Sequence, residues 1–324
     1  MKRFLIALTC SLTCLLPFTV HAEQVSLVFA GDIVLVGQPG KLIAEGHDPF
    51  EGIAALLGDA DIRVGNLECV VATTGEPEDK IFTFRADPHT LAVLKRHFDA
   101  VSVANNHSGD YGRTAFAEML DLLDHAGVKH FGGGHDLAEA HKPLIVERKG
   151  LRIALLGYNE FMPRSFEADA DAPGTAWSED EQVKDDIRRA RSDYHADLVI
   201  PIMHWGWENE RAANARQRQL AHLMVEAGAD AVIGGHPHVT QDVEYYHGKP
   251  IVYSVGNFLI DALDNDAQTH GWIVRMELDK DGVKAWRTYA VHLDAAGVPH
   301  LMAQEKTPCG NTSGGSNLSA CSAQ

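Results

Sequence analysis

The sequence predicts an α/β fold whose strands present polar side chains at their carboxyl ends. Short apolar runs alternate along the chain with amphipathic stretches of helical period. Several of those runs stop at Gly, Asp, Asn, Glu or His, in the place where open α/β sheets gather their ligands. With 324 residues, 45% of them hydrophobic and 23% charged, the chain suffices for one large domain or two small ones, with a core that needs no staple.

The amino terminus stands outside this pattern. Lys2 and Arg3 precede an apolar run over 4–20 that closes on Val20-His21-Ala22, the order of an export signal cut before Glu23. The alternative is an uncleaved anchor, because the run is near the ~17 residues of the shortest membrane span. Thr9 and Thr13 precede Cys10 and Cys14, where a lipoprotein signal would carry Gly or Ala. An exported protein, in a bacterial periplasm, is expected. The formal net charge is −17, and loss of Lys2 and Arg3 deepens it. That argues against nucleic acid or an anionic membrane as the main partner. An anionic substrate would then need a local positive centre, such as a bound metal. Of the cysteines beyond the signal, Cys309 and Cys321 are placed to pair in an oxidising compartment, which leaves Cys69 free.

Taken in order, residues 25–30 are a strand that ends at Gly31-Asp32, and 49–57 a short helix. Residues 61–65 are a strand running into Asn66-Leu67-Glu68, whose alternation lets Asn66 and Glu68 face one side. A polar loop over 75–80 precedes a helix over 88–98 with Leu91, Leu94 and Phe98 as its stripe. The strand over 99–104 leads to Asn105-Asn106-His107, with Asp110 just beyond. The helix over 113–126 buries Phe116, Met119, Leu120 and Leu123 and stops at Gly127. Gly132-Gly133-Gly134 is a flexible turn, not a phosphate loop, since no Gly-Lys-Ser/Thr follows. His135 and His141 flank a short helix as solvated residues. A hairpin over 143–156 and a surface loop over 163–176 follow. Ser178 to Glu181 read as a capping box opening a helix to Tyr194. The strand over 198–203 ends in His204-Trp205-Gly206-Trp207-Glu208, and a helix over 214–227 returns the chain to a buried strand over 229–233. There Gly234 and Gly235 allow a sharp turn and close approach. In an extended segment His236 and His238 share a face, and Pro237 stiffens the spacer. Strands over 239–246 and 251–255 lead to Gly256-Asn257, a hairpin over 272–291 closes the domain, and from 304 a Gly/Ser/Asn-rich tail reads as disordered.

The strand ends supply Asp32, Asn66, Glu68, Asn106, His107, His204, His236 and His238. Each has a plain alternative: a turn residue for Asp32, a hydrogen-bonded turn for the asparagines, a packed imidazole for His204. Together they are oxygen and imidazole donors without cysteine, a mix that suits Mn, Fe, Zn or Mg, as one ion or two. Glu208 adds acid/base or ligand capacity, and Asn257 a hydrogen-bonding amide. No Gly-x-Ser-x-Gly elbow is present, which counts against a serine hydrolase.

Six motifs occur in sequence: Gly31-Asp32; Asn66-Leu67-Glu68; Ala104-Asn105-Asn106-His107 with Asp110-Tyr111-Gly112; His204-Trp205-Gly206 with Glu208; Gly235-His236-Pro237-His238-Val239; and Tyr253-Ser254-Val255-Gly256-Asn257-Phe258. Over 25–261 the chain closely resembles the CapA family of capsule (poly-γ-glutamate) synthesis proteins, a branch of the calcineurin-like metallophosphoesterase superfamily. The resemblance implies a four-layer α/β/β/α sandwich with its site at the strand ends. It implies Asp32 as the first metal ligand, Glu68 as the bridging acid and Asn106 as an amide ligand. By the same likeness His107 is the general acid, His204 and His236 are ligands of one ion, and His238 is a ligand of the other. Asn66, Asn105, Asp110, Glu208 and Asn257 are then substrate-binding or supporting residues. The chain departs from the superfamily pattern at Val34, where a His is expected, and at Glu68, where an Asp is expected. One tight metal equivalent and a weak second are therefore expected. The implied function is capsule or polyglutamate-type polymer synthesis, by a metal-dependent hydrolase or transferase or by a non-catalytic assembly or export factor. The implied partners are an anionic surface polymer or its precursor and membrane-bound capsule synthesis proteins.

Overall fold

In the computed structural model, which describes residues 24–162, 164–311 and 317–322, the apolar runs assemble into two large sheets. The expected export signal at 1–22 lies outside the described residues. The first sheet is ordered Asn317–Cys321, Thr307–Asn311, Gly282–Leu293, His270–Asp279, Val25–Ile33, Ile62–Leu67, Ala100–Ser102, Lys129–Phe131. Its last four strands are parallel. The second is ordered Val243–Tyr246, Lys249–Val252, Val232–Gly235, Leu198–His204, Leu151–Asn159, Leu144–Arg148, with a parallel centre of four strands.

Side-chain alternation sorts the apolar residues into three layers of contact. Leu27, Phe29, Ile62 and Val64 of the first sheet pack on Ile153, Leu155, Ile200 and Ile233 of the second, so the sheets lie face to face. The other face of the first sheet, with Val28, Ala30 and Val101, packs on Leu94, Phe116, Met119 and Leu123 from the helices Leu91–His97 and Gly112–Ala126. The other face of the second, with Ala154, Leu156 and Val199, packs on Val183, Ile187, Leu220 and Met224 from the helices Asp180–Ser192 and Ala215–Ala227. This is the expected four-layer α/β/β/α sandwich. Each wholly buried Leu, Ile, Val or Phe contributes ~1.5–3 kcal/mol relative to exposure.

Several local expectations are corrected. The Ser178–Glu181 box does not form: Glu179 is the N-cap, without a side-chain bond, and Ser178 donates to Glu160 instead. The reciprocal capping box is at Asn214 and Gln217. A helix over Gly37–Ala44 forms where no cap or stripe signalled it. The triple glycine is not a flexible turn. Gly133–Gly134 pairs with Gly174–Thr175, and a Cβ on Gly133 would stand 2.6 Å from the Phe116 ring. Part of the expected surface loop, Ala168 and Gly174 to Ala176, is thereby buried. The tail is not without structure: Thr307–Asn311 and Asn317–Cys321 extend the first sheet and are tied by the Cys309–Cys321 disulfide. Composition misleads there because edge pairing and a crosslink, not a hydrophobic face, order the segment. Cys69 is free and buried. His141, expected in solvent, is buried against Asp186.

Candidate metal centre

Parallel strands gather their carboxyl ends at one edge of each sheet, and the face-to-face stacking brings the two edges together. In the first sheet a register irregularity between Ala30 and Asp32 places Asp32 between Asn66 on one side and Asn257 on the other. In the second, His204 ends its strand in register with Gly235 and Asn159. Residues 138 apart in the chain, Asn66 and His204, come within 3.4 Å.

The donors converge as follows. His204 Nε2 lies 2.6 Å from Asn106 Oδ1, 3.1 Å from His236 Nδ1 and 3.3 Å from Glu68 Oε1. His238 Nδ1 lies 3.4 Å from Asp32 Oδ2 and 2.8 Å from Asn257 Oδ1. Glu68, His236 and His238 each bring a donor atom within 4.8 Å of the others. Asp32, Glu68 and His236 are wholly buried, yet Asp32 Oδ2, both Glu68 carboxylate oxygens and His236 Nε2 have no hydrogen-bond partner. Leaving such groups bare costs several kcal/mol unless something pairs with them. Around an ion with bonds of ~2.1 Å, two ligand atoms stand ~3.0 Å apart in an octahedron and ~3.4 Å in a tetrahedron. The spacings of His204 to His236, His204 to Glu68 and His238 to Asp32 match those edges. The donor set therefore fits a divalent ion, with Asp32, Glu68, Asn106, His204, His236 and His238 to hold it.

Electrostatics agree. Burial works to raise the Glu68 carboxyl, but the charges of His238 and His204 bring it down to about 2. Burial works to lower His238, but the Glu68 charge and Asp32 push it up to about 10. Burial and the neighbouring imidazoles push His236 well below its ordinary value, which leaves it neutral, the form that binds metal. Without an ion, a proton on His238 balances the buried acids.

A supporting shell positions these groups. Asn105 Nδ2 donates to Asn66 Oδ1 (3.1 Å), and Asn66 Nδ2 donates to Asp32 Oδ1 (2.8 Å). Asn105 Oδ1 accepts from the His107 backbone N–H (3.1 Å). Asn257 Nδ2 donates to the Gln268 carbonyl, which orients its oxygen towards His238. His107 does not join the donor set. Its Nδ1 pairs with Asp110 Oδ2 at 2.8 Å, and the Phe84 ring covers it at 4.6 Å between centroids. Asp110 is wholly buried, held by the Phe84 N–H and by the Lys80 ammonium, which also donates to the Asn106 carbonyl.

Three sequence expectations change here. His236 and His238 do not converge through strand alternation. Both adopt left-handed backbone, with φ of 93° and 57°, which costs ~1–2 kcal/mol per residue away from glycine. The two glycines before them have ordinary φ and are needed for space instead. A Cβ on Gly234 would stand 2.1 Å from the Tyr253 carbonyl, and one on Gly235 3.2 Å from Asp32 Oδ1. Glu208 is exposed on the following turn and makes no bond to the cluster among the described residues. Val34 is packed in the helix-side core, with its N–H on the Leu259 carbonyl, so its side chain lies in an apolar layer.

Sequence reasoning missed Asn159, Phe161, Lys80 and Phe84. Asn159 ends a strand as Asn66 stands near the end of one, so the same rule applied to Tyr158-Asn159-Glu160 finds it. Its side chain exchanges two hydrogen bonds with the Phe161 backbone, and Phe161 packs on His236 at 3.8 Å between centroids. No local pattern marks Lys80 or Phe84.

Comparison with known proteins agrees with this architecture. Residues 26–262 match the family model described as bacterial capsule synthesis protein PGA_cap. The PGA biosynthesis protein CapA of Bacillus subtilis (strain 168) is 30% identical over 291 residues, 86% of this chain and 74% of that one. The capsule biosynthesis protein CapA of Bacillus anthracis is 29% identical over 249 residues, 74% of this chain and 60% of that one. A hypothetical protein from Thermus thermophilus superposes with a TM-score of 0.52 at 16% identity, over 82% of this chain and 98% of its own, and so shares the fold.

Proposed function

The chain belongs to the PGA_cap family of bacterial capsule synthesis proteins, and we propose that it is an exported, metal-dependent hydrolase or transferase acting on an anionic surface polymer or its precursor. The observation that carries this reading is the pairing of an acid/base residue with a separate donor cluster. His107 sits beside the donors, held by Asp110 through Nδ1, so that Nε2 is the atom free to exchange a proton with a substrate. A pocket that only grips a polymer has no use for that pair.

Bound at Asp32, Glu68, Asn106, His204, His236 and His238, a divalent ion would polarise the substrate oxygen and lower the pKa of a water. The residues of the chain do the rest. Asp110 fixes the orientation of the His107 ring, which leaves Nε2 as the atom that exchanges a proton with a departing oxygen or nitrogen. Asn105 and Asn66 keep Asp32 aimed, and Phe84 and Phe161 shield His107 and His236 from water. The net charge of −17 makes the ion the local positive centre for an acidic chain. The Cys309–Cys321 disulfide supports action in an oxidising compartment. Membrane-bound capsule synthesis proteins are the partners this role needs; nucleic acid is not.

A second reading, a non-catalytic factor that binds the polymer for assembly or export, is favoured by one feature. Val34 occupies the sequence position at which the phosphoesterase pattern has a ligand, and its side chain is packed in the helix-side core, so that ligand is missing. The test is incubation of the purified protein, loaded with Mn²⁺ or Zn²⁺, with poly-γ-glutamate and with a model phosphodiester. Shortened chains or released alcohol, lost in His107→Asn while metal is retained, support the enzyme. Tight polymer binding with neither product supports the factor.

A further inference from the structure

The four most exposed large hydrophobic residues among the described residues are Ile81 (92%), Met162 (63%), Trp207 (63%) and Phe82 (50%). They lie on segments that reach the donor cluster through ring contacts. Phe82 stacks on Phe84, which covers His107. Trp207 meets Phe161 edge-on, and Phe161 covers His236; Met162 follows it in the chain. Two loop tips of bare apolar side chains thus border the cluster, each joined to it by a line of ring contacts.

Bare apolar side chains gathered at a functional site mark an interaction surface. We propose that these tips dock the protein on an uncharged lipid surface, with the mouth of the metal centre facing the lipid headgroups. Three observations select this occupant. Trp and Phe beside an aliphatic Ile are the residue types that settle at the boundary of headgroups and acyl chains, and a fully bare Ile offers no polar or π contact to an acidic polymer. Four side chains of ~150–250 Å² each, partly covered already, offer on the order of 500 Å². That falls below the roughly 800 Å² per partner of a stable protein interface. The net charge of −17 opposes attraction to anionic lipid, so the contact must be apolar and insensitive to salt. That a docked lipid carries its polar group to the cluster rests on the function proposed above; the docking itself does not.

Trp207 is a built-in probe, because it is the exposed one of five tryptophans. The full chain is mixed with vesicles of phosphatidylcholine brominated on the acyl chains, whose bromine quenches tryptophan in the lipid boundary. We expect quenching of the wild type that is unchanged by high salt and absent in Trp207→Phe. In the double variant Ile81→Ser/Phe82→Ser it should be smaller by about threefold or more. Leu318→Ser, altering an exposed residue on the far edge strand of the first sheet, should quench as the wild type does. Equal quenching in Trp207→Phe, or none in the wild type, overturns the proposal. So does a wild-type dimer in light scattering that Ile81→Ser/Phe82→Ser abolishes, since a second copy then covers the tips. Should the serine variant fail to fold, the conservative Trp207→Phe change still decides.

Discussion

Among the described residues, two buried clusters that join histidine to acid are built on opposite terms. On the outer face of the second sheet, His141 Nδ1 meets Asp186 Oδ2 at 2.7 Å, the Tyr158 hydroxyl donates to the same oxygen, and Gln182 donates to Asp186 Oδ1. Both oxygens of that carboxylate are satisfied. At the strand ends, by contrast, Asp32 and Glu68 are wholly buried with oxygens that accept no hydrogen bond and have only charge partners at 3.3–3.4 Å, and two histidines hold left-handed backbone. Folding free energy accounts for the first cluster, which ties the second sheet and the short helix Leu137–Ala140 to the helix Asp180–Ser192. It accounts for the second only in part: His238 and His204 pair by charge with the buried acids, but hydrogen bonds are left unmade and the backbone strain of two histidines costs stability. A buried polar group left incomplete is where a ligand belongs.

That contrast can be broken by experiment. The largest effect expected is on metal: the double change His236→Ala/His238→Ala should abolish stoichiometric binding in elemental analysis while circular dichroism stays native. His141→Ala should leave metal content untouched. Equal metal in the double variant would place the ion elsewhere. Next, His107→Asn should retain metal and lose turnover by about 10²–10⁴, the usual share of a general acid, as steady-state rates on the cleaved substrate would show. Third, Asp186→Ala should unfold ~3 kcal/mol more easily in urea, because the His141 and Tyr158 groups lose their partner, with no loss of bound metal. If Glu68→Ala destabilised the metal-free protein as much as Asp186→Ala, the two clusters would not differ in kind.

The smallest effect is on pH. His238, raised from 6.5 to about 10, stabilises the metal-free fold fully below its unfolded value, and that stability is lost as pH rises towards 10. Glu68, lowered from 4.5 to about 2, contributes above its unfolded value, and its share is lost as pH falls towards 2. Chelated protein should thus weaken between pH 6.5 and 10 by on the order of 1–2 kcal/mol. Metal-loaded protein should not, because an ion requires the deprotonated imidazole and binds better as pH rises. Thermal melts with and without chelator, across that range, compare the two slopes. Val34→His is expected to leave metal stoichiometry unchanged, since position 34 lies in the apolar layer; titration would show it.

Much of this was legible beforehand. The strands that carry Asp32, Asn66 and His204 follow from short continuous apolar runs, and the two hairpins from their turn residues. These are local properties, written in neighbouring residues, as is the chemistry of a donor list without cysteine. What the sequence by itself determined was therefore the inventory of donors and the strand ends that carry them. Tertiary structure decided which of them meet. Glu208 and His204 leave the same strand, yet His204 reaches the cluster and Glu208 points into solvent. His135 and His141 flank the same short helix, yet one is exposed and the other pairs with a buried acid. Lys80 reaches Asp110 from a loop with no pattern of its own. Such outcomes depend on how two sheets stack and on close approaches such as Gly234 against Tyr253 and Trp205, just before the strained histidine loop. Packing of this kind joins residues far apart in the chain, and no local periodicity records it.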